Sequence, residues 1–141
     1  MNESKLILVL GDQLSFNQPA LKQAEPGRDS IVLAEVAEEA IYVRHNRHKI
    51  ALLFAAMRHF RVELETLGYD VHYIAIDEGV ASLEVAVRNV LVQTAATEVV
   101  VCEPGEYRLV HQMRNVWSSS LGVRVTVLED DRYLASHDDF E

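Results

Sequence analysis

Cysteine is almost absent from this chain: Cys102 is the single one in 141 residues. One thiol cannot close an internal disulfide, and it excludes a cysteine-rich metal cluster. Such a chain suits a reducing cytoplasm. Long hydrophobic runs are missing too. The longest near the start, Leu6 to Leu10, is too short for a membrane span or a signal-peptide core, and no small-residue cleavage site follows it. Positive charge is scarce: 13 Lys and Arg stand against 22 Asp and Glu, a formal net charge of −9. That balance disfavours a general polyanion binder, because affinity for phosphate backbones comes mainly from Lys and Arg displacing counterions. Glycine-rich phosphate loops are lacking as well. No GxGxxG follows the first apolar run, and no GxxxxGK followed by Ser or Thr occurs anywhere.

What remains is the composition of an ordinary soluble globule, 49% apolar and 25% charged. The length is that of one domain, enough to bury roughly two-thirds of the surface its unfolded chain exposes. Four short β-branched runs read as strands: Leu6–Leu10, Ile31–Val36, Val71–Ile76 and Val99–Cys102. The first, second and fourth are nearly continuous in apolar residues, as in parallel strands covered on both faces. A fifth run, Val123–Leu128, alternates with polar residues and reads as a half-exposed edge.

Helical patterns lie between these runs. Ile50, Leu53, Met57, Phe60, Leu64 and Leu67 fall on one helix face, and Gly68 supplies a left-handed stop. Ser82 is a candidate N-cap for a helix carrying Leu83, Ala86, Val87, Val90 and Leu91. A third helix is expected from about Tyr107 to Leu121, ending at Gly122, and any helix near Pro19 must be short. The alternation predicts an α/β fold: a three-layer, Rossmann-like open sheet of five parallel strands with helices on both faces. Residues 129–141 differ, with six acids and one base, and carry −5 of the total charge.

In such sheets ligands bind beyond the carboxyl ends of the strands. The residues there are Gly11-Asp12-Gln13, Ala34-Glu35-Val36, Asp77-Glu78-Gly79, Glu103-Pro104-Gly105-Glu106 and Glu129-Asp130-Asp131. The crevice is therefore acidic. Asp12 suits either a ligand contact or a turn cap. A phospho-acceptor role would need a companion Lys near the fifth strand, which is missing. Glu35, Glu39 and Tyr42 would share a helix face, where carboxylates also suit a solvated helix start. Between residues 44 and 61 lie five of the 13 bases and three of the six histidines. A solvated helix face explains that cluster more simply than an anion site or a metal pair from His45 and His48. Cys102 reads as a small buried hydrophobe and Trp117 as core or a packing surface. Ser118–Ser120 lack a nucleophile elbow, so no hydrolase triad is indicated.

Composition and spacing stop there, but specific strings go further. LVLGDQLS (Leu8–Ser15), LAEVAEEAIYVRHNRHKI (Leu33–Ile50), FAAMRHF (Phe54–Phe60), EPGEYR (Glu103–Arg108) and DDRYLASHDDFE (Asp130–Glu141) occur in this order. Together they resemble the N-terminal domain of deoxyribodipyrimidine photolyase-related proteins, the prokaryotic cryptochrome/photolyase branch that includes iron–sulfur (6-4) photolyases. The resemblance implies a ribityl-lumazine-type antenna chromophore in this domain. It implies that a helical domain holding FAD and a [4Fe–4S] cluster follows covalently and binds damaged DNA. Residues 1–128 would be the antenna-type domain and 129–141 the start of an acidic linker, and this piece alone would not be catalytic. The chromophore pocket would map to Asp12, Gln13, Ala34, Glu35, Glu39 and Tyr42, with Asp12 and Glu39 hydrogen-bonding the ring or ribityl groups and Tyr42 packing on them. One departure is Arg44-His45-Asn46-Arg47-His48, where the family tends to have a His-His pair followed by lysines. The alternatives are a structural module without chromophore, or a stand-alone nucleotide-binding or signalling domain.

Overall fold

Five parallel strands form one sheet in the order β3-β2-β1-β4-β5. They are β1 (Ser4–Leu8), β2 (Ser30–Ala34), β3 (Asp70–Ile74), β4 (Ala96–Cys102) and β5 (Arg124–Leu128). The computed structural model describes residues 4–11, 13–36, 47–80, 82–104 and 107–129, with the backbone alone at 47–50 and 107. The three strands whose sequences are nearly continuous in apolar residues, β1, β2 and β4, are the three interior ones. The alternating fifth run is an edge, as its pattern predicts. The strands begin one to three residues before their apolar runs, except β5, which begins one later. Polar entry residues such as Ser4 and Ser30 still join the ladder.

Helices cover both faces. On one, α1 (Pro19–Lys22) and α2 (Arg47–Thr66) bury Ala20, Leu21, Phe54, Met57, Phe60 and Leu64 against Ile7, Ile31, Leu33 and Val100. On the other, α3 (Leu83–Gln93), α4 (Tyr107–Asn115) and α5 (Trp117–Leu121) bury Val87, Val90, Met113 and Trp117 against Leu8, Val32, Val99 and Val101. Ser82 caps α3 as expected, its Oγ accepting from the Val85 N–H at 3.3 Å. Gly68 closes the turn after α2 at φ +98°, a value that favours glycine.

Two helix readings need correction. The single helix expected over 107–121 is two, parted at Val116 (φ −118°, ψ −41°). Met113 and Trp117, four apart and both buried, keep one periodicity across the break and so conceal it. Leu67 lies past the end of α2 and is 57% exposed, while Phe54 is buried on the core stripe instead. Trp117 and Cys102 are both core residues, 1% exposed. No helix among the described residues is long and apolar enough to cross a membrane.

Candidate functional site

The strand order reverses between β1 and β4, since β2 and β3 lie on one side of β1 and β4 and β5 on the other. The carboxyl ends of β1 and β4 therefore flank the switch-point crevice where ligands bind in open α/β sheets. Gln13 spans it. Its Nε2 donates to the Cys102 carbonyl at 3.1 Å and the Glu103 carbonyl at 3.0 Å, tying the loop after β1 to the end of β4. Its own carbonyl accepts from Gln18 Nε2 at 2.9 Å. Gln13 is 4% exposed, and its Oε1 has no hydrogen-bond partner among the described residues. A buried amide oxygen without a donor is costly, about 1–3 kcal/mol. It marks a place where a ligand N–H or O–H, or a water, would be favoured.

The roof of this end is α2. A side chain at Gly11 would bring its Cβ to 2.9 Å from Leu53 Cδ1 and 3.2 Å from Met57 Sδ. Glycine therefore lets the end of β1 run directly under the helix. On the β4 side, Glu103 pairs with Arg114 of α4 at 3.2 Å.

Glu35 follows β2 and is fully buried. Arg58 of α2 grips it through two bonds, Nε to Oε2 at 2.6 Å and Nη2 to Oε1 at 2.8 Å. The Ile76 N–H donates to Oε1 at 2.9 Å, and the Tyr73 hydroxyl donates to Oε2. Burial pushes the carboxyl upward, but the bonds from Arg58, Tyr73 and Ile76 outweigh it and hold Glu35 below the ordinary carboxylate range. Burial and the neighbouring carboxylate push the Tyr73 phenol up. Arg61 lies over the Tyr73 ring, 5.6 Å from its centroid, so two bases of α2 face one tyrosine.

Of the six residues of the expected pocket, Gln13 lies at the switch point and Ala34 is a buried strand end with no polar side chain. Glu35 turns both oxygens toward protein donors. Asp12, Glu39 and Tyr42 lie outside the described residues. The basic cluster divides. Arg58 and Arg61 serve the Glu35 and Tyr73 contacts, while the His59 side chain is 77% exposed beside Glu63. Sequence reasoning missed Arg58 and Tyr73 as partners of Glu35, and it missed Gln18. The available signal was Arg58 itself, a charge one position after the buried Met57 on the core stripe of a helix.

The family model described as "Deoxyribodipyrimidine photo-lyase-related protein" matches residues 7–141. The chain belongs to this family. A "(6-4) photolyase" of Agrobacterium fabrum (strain C58 / ATCC 33970) is 40% identical over 139 residues, which cover 97% of this chain and 27% of that relative. The family's match thus includes every strand-end segment described above, and the chain spans about a quarter of the relative's length.

Proposed function

We propose that the chain is the antenna-chromophore-binding domain of a photolyase-like flavoprotein. The observation that carries this reading is the buried, donor-seeking Oε1 of Gln13 at the switch point of a photolyase-related domain. A ribityl-lumazine offers ribityl hydroxyls that would satisfy it, and a sequence without a glycine-rich phosphate loop suits a neutral, hydroxyl-rich ligand better than a nucleotide phosphate. When bound, such a chromophore collects blue light and passes the excitation to a flavin. In the parent protein, FAD, a [4Fe–4S] cluster and damaged DNA would be held by a helical domain covalently joined to this one. Repair of a pyrimidine (6-4) lesion would belong to that whole protein, and this piece alone would not be catalytic. Asp12, Glu39 and Tyr42 remain assigned to the chromophore. Glu35, with its oxygens engaged by Arg58, Tyr73 and Ile76, acts as a support that fixes α2 over the crevice.

The test is a fluorescence titration of the folded domain with 6,7-dimethyl-8-ribityllumazine. Saturable binding is expected, and Gln13→Leu is expected to weaken it about tenfold, the worth of one net hydrogen bond. Absence of binding, under conditions where a full-length relative binds, sinks the chromophore reading. It leaves the structural module, which the internal satisfaction of Glu35 favours.

A further inference from the structure

Gln18 is the second buried carboxamide of the loop after β1. It is 7% exposed, and its Oε1, like that of Gln13, has no hydrogen-bond partner among the described residues. Neither oxygen can be satisfied by turning its amide over. Gln13 Nε2 has both hydrogens committed, to the carbonyls of Cys102 and Glu103. Gln18 Nε2 donates to the Gln13 carbonyl at 2.9 Å. A rotated amide would set oxygen against oxygen at each of these contacts. The network therefore fixes both Oε1 atoms as acceptors that await a donor.

The fold itself does not need the Gln18 carboxamide. Gln18 precedes α1, yet its side chain caps nothing there. The carbonyl it reaches is already bonded by the Ser15 N–H at 2.8 Å. The loop has other anchors. The Gln13 N–H bonds the Leu10 carbonyl at 2.9 Å, the Asn17 N–H bonds Ser15 Oγ at 3.1 Å, and Phe16 packs on Phe60 of α2 with ring centroids 4.9 Å apart. An apolar side chain of the same length would lose one redundant hydrogen bond and remove a buried oxygen that lacks a donor. A polar group that costs stability and supports no element calls for a role in binding.

We propose, on the chromophore reading of this site, that Gln18 is a specificity-determining residue, paired with Gln13 to receive two hydroxyl groups of one ligand. Both oxygens belong to one loop, since the Gln18 amide lies against the Gln13 main chain. They ask for two donors. A polyol chain such as ribityl supplies them, whereas a carboxylate or a fully ionised phosphate offers none. The two glutamines thus read the polyol chain rather than the ring that carries it. A site built to bond hydroxyls penalises an analogue lacking them, because its own buried acceptors stay unpaired.

Fluorescence titration of the full chain with 6,7-dimethyl-8-ribityllumazine and with 6,7,8-trimethyllumazine, which lacks the hydroxyls, tests this. The natural chain should prefer the ribityl compound about a hundredfold, about tenfold for each bonded oxygen. Gln18→Met should cut that preference about tenfold and leave the affinity for trimethyllumazine unchanged. The urea midpoint of the free variant should equal or exceed that of the natural chain. An undiminished preference in Gln18→Met overturns the proposal, spares the chromophore reading and assigns the Gln18 Oε1 to a buried water. Equal binding of the two compounds by the natural chain also overturns it. A variant that weakens both compounds alike with a lowered midpoint, or that fails to fold, makes the carboxamide structural and does the same. If the natural chain binds neither compound, the chromophore reading itself falls, and the role of Gln18 with it.

Discussion

Two buried carboxylates bracket β2, Asp29 before it and Glu35 after it, exposed 1% and 0%. Their partners differ in kind. Asp29 accepts from the backbone N–H groups of Lys5 and Glu25 at 2.9 and 3.0 Å and from its neighbour Arg28. Three of those four bonds come from within four residues along the chain. Glu35 accepts chiefly from side chains far along the chain, Arg58 and Tyr73, and from the Ile76 N–H. The amino end of the sheet is thus closed by a loop folding onto itself, and the carboxyl end by a knot joining β2, β3 and α2. A knot of side chains fixes the relative position of three elements. That is what a crevice needs in order to hold a ligand in one geometry.

The comparison breaks most visibly at Glu35. Glu35→Ala leaves the Ile76 N–H and the Tyr73 hydroxyl without their acceptor and opens a cavity among packed elements. A loss of about 4 kcal/mol is expected in urea unfolding. Asp29→Ala is expected to lose about half as much, because three of its four bonds come from within four residues and tie fewer elements together. If Asp29→Ala proves the more damaging, the carboxyl-end knot is not the tighter of the two.

Acid should act on both sites together. Burial pushes the Asp29 carboxyl up, but Arg28 and the two backbone N–H groups outweigh it and leave it lowered, as in Glu35. A lowered carboxyl stabilises the fold above its unfolded value, about 4, and that contribution fades as pH falls through the folded value. Stability should therefore decline below about pH 4, and a chain lacking both acids should show a flatter acid limb.

This contrast also shows how far the sequence could be read. Strand number, parallel order of the interior and the β5 edge followed from apolar continuity, because burial on two faces writes itself into residue type. The family strings located the strand-end segments. Those strings put Glu35 in a chromophore pocket, but neither route found the partners of the two buried carboxylates. Asp29 and Glu35 are each one acid in an acidic chain, and a carboxylate's letter is the same whether water or an arginine solvates it. The Arg58–Glu35 contact spans 23 residues and exists only once α2 has crossed over β2. Gln13 shows the same limit: its bridge to Cys102 and Glu103 spans about 90 residues and depends on β1 lying beside β4.

The smallest expected effect is the most selective. Tyr73→Phe keeps the ring, and so its packing with Arg61, and removes the hydroxyl that donates to Glu35. Arg58 and the Ile76 N–H still satisfy the carboxylate, so the loss should be about 1 kcal/mol, one net hydrogen bond. The pH dependence separates this from a packing defect. The phenol is held neutral in the folded chain, its ionisation raised above the ordinary value of about 10. A raised group stabilises the fold fully below its unfolded value and loses that contribution as pH rises toward the folded one. The gap between the natural chain and Tyr73→Phe should therefore hold constant from neutral pH to about 10 and narrow above it. Urea midpoints across that range check this. A gap unchanged at pH 11 would assign the loss to the ring's surroundings and remove Tyr73 from the knot.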